Sequence, residues 1–414
     1  MNPRILESSH PQILASSNPR ILGSSNPPVL LGTERLLTSA RLRGQRIGIV
    51  ANPASVNHAF VHIVDRIARE GGVALGAIFG PQHGFHSTLQ ENMIETPHDR
   101  DPRRCVPVYS LYSDVREPTA EMLRGLDAIV IDLQDVGTRI YTYIYTMANC
   151  MKAAARAGLP VFVCDRPNPI GGMDVEGPML RAGFESFVGL YPIVMRHGMT
   201  IGELATLFND HFGIGADLEV VPMEGWTRDM FWDDTRLPFI MPSPNIPTLD
   251  TAIVYPGQVL VEGTMASEGR GTTRPFELVG LPGIDAERFA DRLNAYAFPG
   301  VYFRPVYFEP TFHKCAKETC GGCQLHVTDR RTFQSVIATA AIFHELRAMN
   351  PTRFAWRQPP YEYEHDKMPI DILAGSSDLR EQIDAGLDPR AIAESWEAER
   401  SEFLRLRDQY LLYR

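Results

Sequence analysis

The stretch Ala128-Ile129-Val130-Ile131-Asp132-Leu133-Gln134-Asp135-Val136-Gly137-Thr138-Arg139 decides the fold. An apolar run ends at Asp132 and gives way at once to a dense polar cluster. A strand buried on both faces of a parallel sheet is a near-continuous apolar run, and its polar groups fall past its end. The same transition recurs elsewhere in the first 170 residues. Arg46–Val50 ends in Ala51-Asn52-Pro53, Val73–Phe79 in Gly80-Pro81-Gln82-His83-Gly84, and Leu159–Val163 in Cys164-Asp165-Arg166-Pro167-Asn168-Pro169. In an open parallel sheet the strand C-termini face one crevice, which is where ligands bind. The pattern predicts an α/β fold with a doubly wound parallel sheet and names its working edge.

The spacing between these runs supports that reading. Gly32–Ala40 predicts a short helix, and Ala59–Glu70 an amphipathic one with Phe60, Ile63, Val64 and Ile67 on one face. Val106–Leu111 is a further strand, and Thr119–Arg124 a short helix after Pro118. Thr142–Ala157 is a helix closed by Gly158. Strands alternating with helices at this spacing predict a parallel sheet.

The texture changes near Gly183, where a second, smaller α/β domain is expected to begin and run to residue 414. In it, Thr200-Ile201-Gly202-Glu203 has the form of a capping box opening a helix through Phe208. Leu218–Pro222 is a strand, and Phe239–Gly271 is loop-rich. Tyr302–Phe308 and Gln324–Thr328 read as strands, and Thr332–Ala348, Ser377–Ala385 and Pro389–Tyr410 as helices. The first domain is accordingly residues 29–182. Residues 1–28 carry an eight-residue repeat, Asn2-Pro-Arg-Ile-Leu-Glu-Ser-Ser returning at Asn18 and Asn26. Proline in every repeat forbids a helix, so a disordered leader is expected. It lacks the basic start and unbroken apolar core of a secretory signal, which predicts a cytoplasmic location.

Composition excludes several classes. At 414 residues the chain is long for one core. It is 44% hydrophobic and 22% charged, as ordinary globular proteins are. A formal charge of −10 argues against a nucleic-acid surface. No apolar stretch approaches the roughly 20 residues that span a bilayer. Cys105, Cys150 and Cys164 lie in or beside apolar runs and read as buried thiols. Cys315, Cys320 and Cys323 have no distant partner pair of the kind structural zinc uses, so a hairpin with reduced cysteines and no metal is the preferred reading.

The polar clusters supply candidates for chemistry. Gln82 and His83 sit between glycines that permit close approach of a ligand. Gln90-Glu91-Asn92-Met93-Ile94-Glu95 follows, with two carboxylates. Asp132, Gln134, Asp135 and Arg139 crowd one strand end; Asp165, Arg166 and Asn168 crowd the next. Tyr141, Tyr143 and Tyr145 have strand-like spacing, as the floor of a sugar site or as packing. Ser267-Glu268-Gly269-Arg270-Gly271-Thr272-Thr273-Arg274 resembles an anion loop, but the Gly-Lys-Ser/Thr ending of a P-loop is absent. No strand runs into Gly-x-Gly-x-x-Gly, so no dinucleotide cofactor is expected.

Taken in order, these motifs resemble the NamZ-type exo-β-N-acetylmuramidases, a glycoside hydrolase family. The resemblance spans about Val29 to Tyr413. It rests on Gly80–Gly84, Tyr109–Tyr112, Asp132–Thr146, Asp165–Gly172, Glu176-Gly-Pro178, Arg196-His-Gly-Met-Thr200, Ser243–Pro247, Glu262–Thr272 and Tyr410–Tyr413. It implies a Rossmann-like N-terminal domain, a smaller C-terminal domain and an active site in the cleft between them. The implied activity is removal of terminal N-acetylmuramic acid from peptidoglycan fragments, with no cofactor. Two positions depart from the family pattern. Gln82 stands where the family has the Glu of Gly-Pro-Glu-His-Gly, its favoured catalytic carboxylate, and Met265 replaces an Asn.

Glycoside hydrolysis needs a protonated acid and a second carboxylate or its equivalent. With Gln82 unable to titrate, Glu91, Asp132 and Asp135 are the nearest carboxyl candidates, beside His83. Asn52, Gln82, Gln134, Tyr143, Asp165, Asn168, His197 and Glu268 are expected to bind substrate. Arg139, Arg166 or Arg270 is expected to clamp the lactyl carboxylate of muramic acid. The strand-end residues should line one crevice that Glu268 and Arg270 close from the other side. The alternatives are a non-catalytic amino-sugar binder, or a hydrolase of shifted specificity using Glu91 or Glu95.

Overall fold

The computed structural model describes residues 27–70, 72–91 and 93–414. Nearly all of the repeated leader lies outside them. Strands β1 (Arg46–Ala51), β2 (Ala74–Gly80), β3 (Asp99–Asp101), β4 (Val106–Ser110), β5 (Ala128–Asp132) and β6 (Val161–Cys164) follow one another. After a small antiparallel pair, β7 (Glu176–Met179) and β8 (Val194–Arg196), comes β9 (Leu218–Val221). The large sheet has the order β3-β4-β2-β1-β5-β6-β9. Its pairs are parallel except at the edge, where β3 runs antiparallel to β4. β1 and β5 align residue for residue from Ile47↔Ala128 to Ala51↔Asp132, so Asn52 and Leu133 leave the sheet side by side. Strand order reverses at β1, with β2 on one side and β5 on the other, the position where doubly wound sheets open a crevice.

Helices α1 (Gly32–Thr38), α2 (Ile63–Glu70), α3 (Tyr143–Ala157) and α4 (Ile201–Asp210) cover the sheet. In α2, Ile63, Val64 and Ile67 are buried as the amphipathic spacing requires, whereas Phe60 precedes the helix and is exposed. α4 opens with the expected capping box: the Thr200 hydroxyl accepts from Glu203 N–H, and the Glu203 carboxylate accepts from Thr200 N–H. α3 ends on Gly158 in the left-handed region.

The large sheet takes a strand from beyond the boundary expected at Gly183, because β9 pairs with β6. The C-terminal unit then contains α5 (Leu249–Gln258), an antiparallel sheet of β10 (Leu278–Pro282), β12 (Cys320–Val327) and β11 (Val301–Phe308), and helices α6 (Ala286–Asn294) and α7 (Ser335–Met349). α5 lies inside the segment expected to be loop. The expected helix over 389–410 is two, Pro389–Glu394 and Glu397–Arg407. Thr119–Arg124 forms hydrogen-bonded turns. One apolar core runs without a break from Ile131, Tyr143 and Met147 to Val261, Phe343 and Ile370, so the two units share their interior. Among the described residues, no helix is long and apolar enough to cross a membrane.

Candidate active site

The Gly80–Gly84 turn leaves β2 and folds tightly back on itself. A Cβ on Gly80 would stand 2.5 Å from Phe85 N, so only glycine fits. His83 itself has φ of 71°, a left-handed conformation that aims its ring into the space between the units. Its Nδ1 lies 2.7 Å from the Leu89 carbonyl oxygen. A carbonyl only accepts, so Nδ1 carries the proton and Nε2 keeps its lone pair. Burial, aided by the Arg270 charge, lowers the imidazole to about 4 and keeps it neutral at physiological pH.

Beside this turn is a narrow pocket lined from both units. Gln82, His83, Tyr141 and Tyr143 form one wall; Tyr255, Glu262, Arg270, Phe276, Tyr361 and Glu362 form the other. Ser243 and Asn245 close its side, and Gln90 holds Asn245 through two hydrogen bonds. Tyr143 is the first residue of α3 and Tyr141 precedes it; their rings pack 4.6 Å apart. Tyr145, two residues further along the first turn of the helix, points to another side, stacked on Phe208 and not lining the cavity. Helical geometry, not a strand, thus sorts the three tyrosines. Burial raises the Tyr143 phenol to about 12, and its hydroxyl donates to the Pro242 carbonyl at 3.0 Å.

Two carboxyl groups stand in this cavity. Glu262 accepts from Arg270 Nη2 and from the Tyr361 hydroxyl, each at 2.7 Å. Glu362 accepts from the Tyr112 hydroxyl at 3.1 Å and is 3% exposed. Burial first, and then the neighbouring Glu262 charge, pushes the Glu362 carboxyl up to about 7, against the pull of Tyr112, Arg270 and Arg116. The cavity therefore holds an Arg-paired carboxyl beside one that keeps its proton near neutrality.

The other expected residues lie elsewhere. Arg166 is buried and binds Asp132 (2.8 Å), Gln134 Oε1 (3.0 Å) and the carbonyls of Ala54 and Val56. Asn52 joins that network by accepting from Ser55 and from Gln134 N–H, and its Nδ2 donates to Pro242. This cluster ties the ends of β1, β5 and β6 together directly behind Tyr143. Asp165 accepts from Thr200, Gly202 N–H and the Tyr413 hydroxyl, fastening β6 to α4 and the chain's end. Asn168 shapes its own loop through Ile170 and Met199.

Asp135 accepts from Gly137 N–H and lies 3.6 Å from His197 Nε2. Met199 N–H donates to His197 Nδ1, so the ring's proton is on Nε2, toward Asp135. Arg139 is wholly buried and gives Nη2 to the carbonyls of Leu373 and Ala374. Neither Arg139 nor Arg166 is placed to clamp a ligand; Arg270 lines the cavity. Glu268 is sealed behind Arg270. Burial alone would raise its carboxyl, but Lys314 at 2.7 Å, His313 and Arg270 hold it low. Glu91 is exposed, next to the Gln90 that holds Asn245.

The glycine-rich loop pointed to Arg270 and tyrosine spacing to Tyr143, while the strand-end rule pointed to Gln82 and His83, all four of which line the cavity. These signals passed over Glu262, Tyr361 and Glu362. Glu262 heads the Glu262–Thr272 run, and its signal was available there. Glu362 stands in Pro359-Pro360-Tyr361-Glu362-Tyr363-Glu364, far from any parallel strand. Cys320 and Cys323 belong to β12 and are buried; among the described residues no group of His, Cys, Asp and Glu is arranged to hold a metal.

Fold and cavity define a two-unit α/β protein with an acidic, aromatic-walled site between the units. The profile described as "Exo-beta-N-acetylmuramidase NamZ, N-terminal" matches residues 47–250, and its C-terminal counterpart matches residues 253–413. The chain belongs to the NamZ exo-β-N-acetylmuramidase family. It is 45% identical over 387 residues to the peptidoglycan β-N-acetylmuramidase NamZ of Bacillus subtilis strain 168, covering 93% of this chain and 91% of that one. Two crystal structures of DUF1343 family proteins from Bacteroides fragilis share the fold. One has a TM-score of 0.84 at 32% identity, the other 0.74 at 28%, and each match covers 94% of this chain and 99% of the other.

Proposed function

We propose that this protein is an exo-acting glycosidase that removes terminal N-acetylmuramic acid, or a closely related amino sugar, from peptidoglycan-derived fragments. The observation that carries the reading is the cavity between the units. Aromatic walls suit the faces of a sugar ring, and a proton-bearing carboxyl beside a second carboxyl suits glycosidic cleavage. Arg270 is the cavity's cation and is placed to meet the lactyl carboxylate that distinguishes muramic acid from glucosamine. Incubation with a chromogenic N-acetylmuramic acid β-glycoside tests it. Release of the chromophore between pH 5 and 8 is expected; none across that range contradicts the reading.

One observation favours a second reading. Gln82 holds its position by accepting from the Thr142 hydroxyl at 2.9 Å and cannot titrate. If the family's Glu is indispensable there, the chain binds the sugar without cleaving it. Calorimetric binding of N-acetylmuramic acid with no turnover of the glycoside would select that alternative.

A further inference from the structure

Gln82 leaves the proposed hydrolase without an acid at the turn after β2, and a different element brings a carboxyl to the same cavity. Tyr361-Glu362-Tyr363-Glu364 is a tight turn in the C-terminal unit, closed by hydrogen bonds between Tyr361 and Glu364 in both directions. Glu362 and Tyr363 take φ of 43° and 69°, left-handed values that side chains seldom adopt without a reason. The turn reaches across to the N-terminal unit. Tyr112 donates to the Glu362 carboxylate, and the Arg116 guanidinium lies 4.5 Å from both the Tyr112 and the Tyr363 ring centres. Tyr363 also donates to Glu95. The turn is thereby clasped so that Glu362 lines the same cavity as Gln82 and His83.

We infer that Glu362 is the general acid of the glycosidic cleavage. This rests on the hydrolase reading above. As the bond between the anomeric carbon and the leaving oxygen breaks, its electron pair stays with that oxygen. The Glu362 proton moves to the same oxygen. Water adds its oxygen to the anomeric carbon, and the proton it loses returns to the Glu362 carboxylate, directly or through solvent. Atoms and charge balance without a cofactor. The groups facing Glu362 are Glu262, Arg270, Arg116, Tyr112, Tyr255 and Tyr361. Burial and then the Glu262 charge oppose ionisation of Glu362, while Tyr112 and the two arginines favour it, so the acid form declines as pH rises through about 7.

The test compares leaving groups. A sugar leaving group needs protonation, whereas 2,4-dinitrophenolate departs without it. Glu362→Gln should lower kcat/KM on N-acetylmuramyl-β-N-acetylglucosamine by roughly 10²–10⁴-fold, the usual contribution of general acid catalysis. On the 2,4-dinitrophenyl β-glycoside it should lose less than about tenfold, and the alkaline limb near pH 7 should vanish. Glu362→Asp, which withdraws the carboxyl by one methylene, should show the same selectivity and serves if the Gln variant folds poorly. Equal losses on both substrates, with the wild type active, overturn the acid assignment alone. A wild type inactive on both overturns the hydrolase reading and this assignment with it.

Discussion

Glu362 shows what a working carboxyl costs the fold that holds it. Its folded carboxyl titrates near 7 against an ordinary 4.5, so folding favours the protonated form. Below about pH 4.5 both states carry the proton and there is no penalty. As pH rises toward 7 the unfolded chain ionises and the folded one resists, and above 7 the penalty is complete, on the order of 3 kcal/mol. Glu362→Gln should thus match the wild type in urea denaturation at pH 4 and exceed it by about 2–3 kcal/mol at pH 8. Removing Asp132 should instead destabilise the fold. Its partner Arg166 is 2% exposed, and Asp132→Ala leaves that guanidinium without its counter-charge. A loss of about 3–5 kcal/mol is expected by urea denaturation. At this scale the sequence was least legible. A polar cluster past a strand end looks the same whether it lines a cavity, as Gln82 and His83 do, or braces one, as Asp132 and Arg166 do. Which of the two occurs depends on what the rest of the chain lays over the strand ends.

Elements were legible where local physics and tertiary packing agree. Ala128–Asp132 is a strand to the residue because an apolar run buried on both faces has no other comfortable state. α4 starts where its capping box says, since that signal is local. α5 was hidden because Pro256 and Gly257 read as turn residues. The packing explains their presence. A Cβ on Gly257 would stand 2.0 Å from the Ser335 carbonyl oxygen, so α5 approaches the start of α7 more closely than any side chain allows. The Ser335 hydroxyl both accepts from Gly257 N–H and donates to the Val254 carbonyl, answering polar groups that the proline disturbs. Gly257→Ala should force the helices apart and destabilise by about 1–3 kcal/mol, read as a lowered thermal midpoint.

At the scale of the whole molecule, the doubly wound parallel sheet followed from the sequence, but its strand order, most of the cavity's lining and the return of β9 to that sheet did not. β9 returns to the first sheet after the β7–β8 excursion, and a composition change at Gly183 carries no information about that return. The continuous core, the Arg139 bonds to Leu373 and Ala374, and the Tyr112–Glu362 contact bind the units into one frame around the cavity. A site assembled from both units, with its acid on a turn far along the chain from the strand ends, is invisible to any rule that reads one strand end at a time. What that cavity does to a muramic acid terminus decides between cleavage and mere binding. The direct measurement is product analysis after incubating the wild-type protein with N-acetylmuramyl-β-N-acetylglucosamine. Stoichiometric release of free N-acetylmuramic acid is the predicted result. Calorimetric binding of the disaccharide, with no free sugar formed between pH 5 and 8, would contradict it.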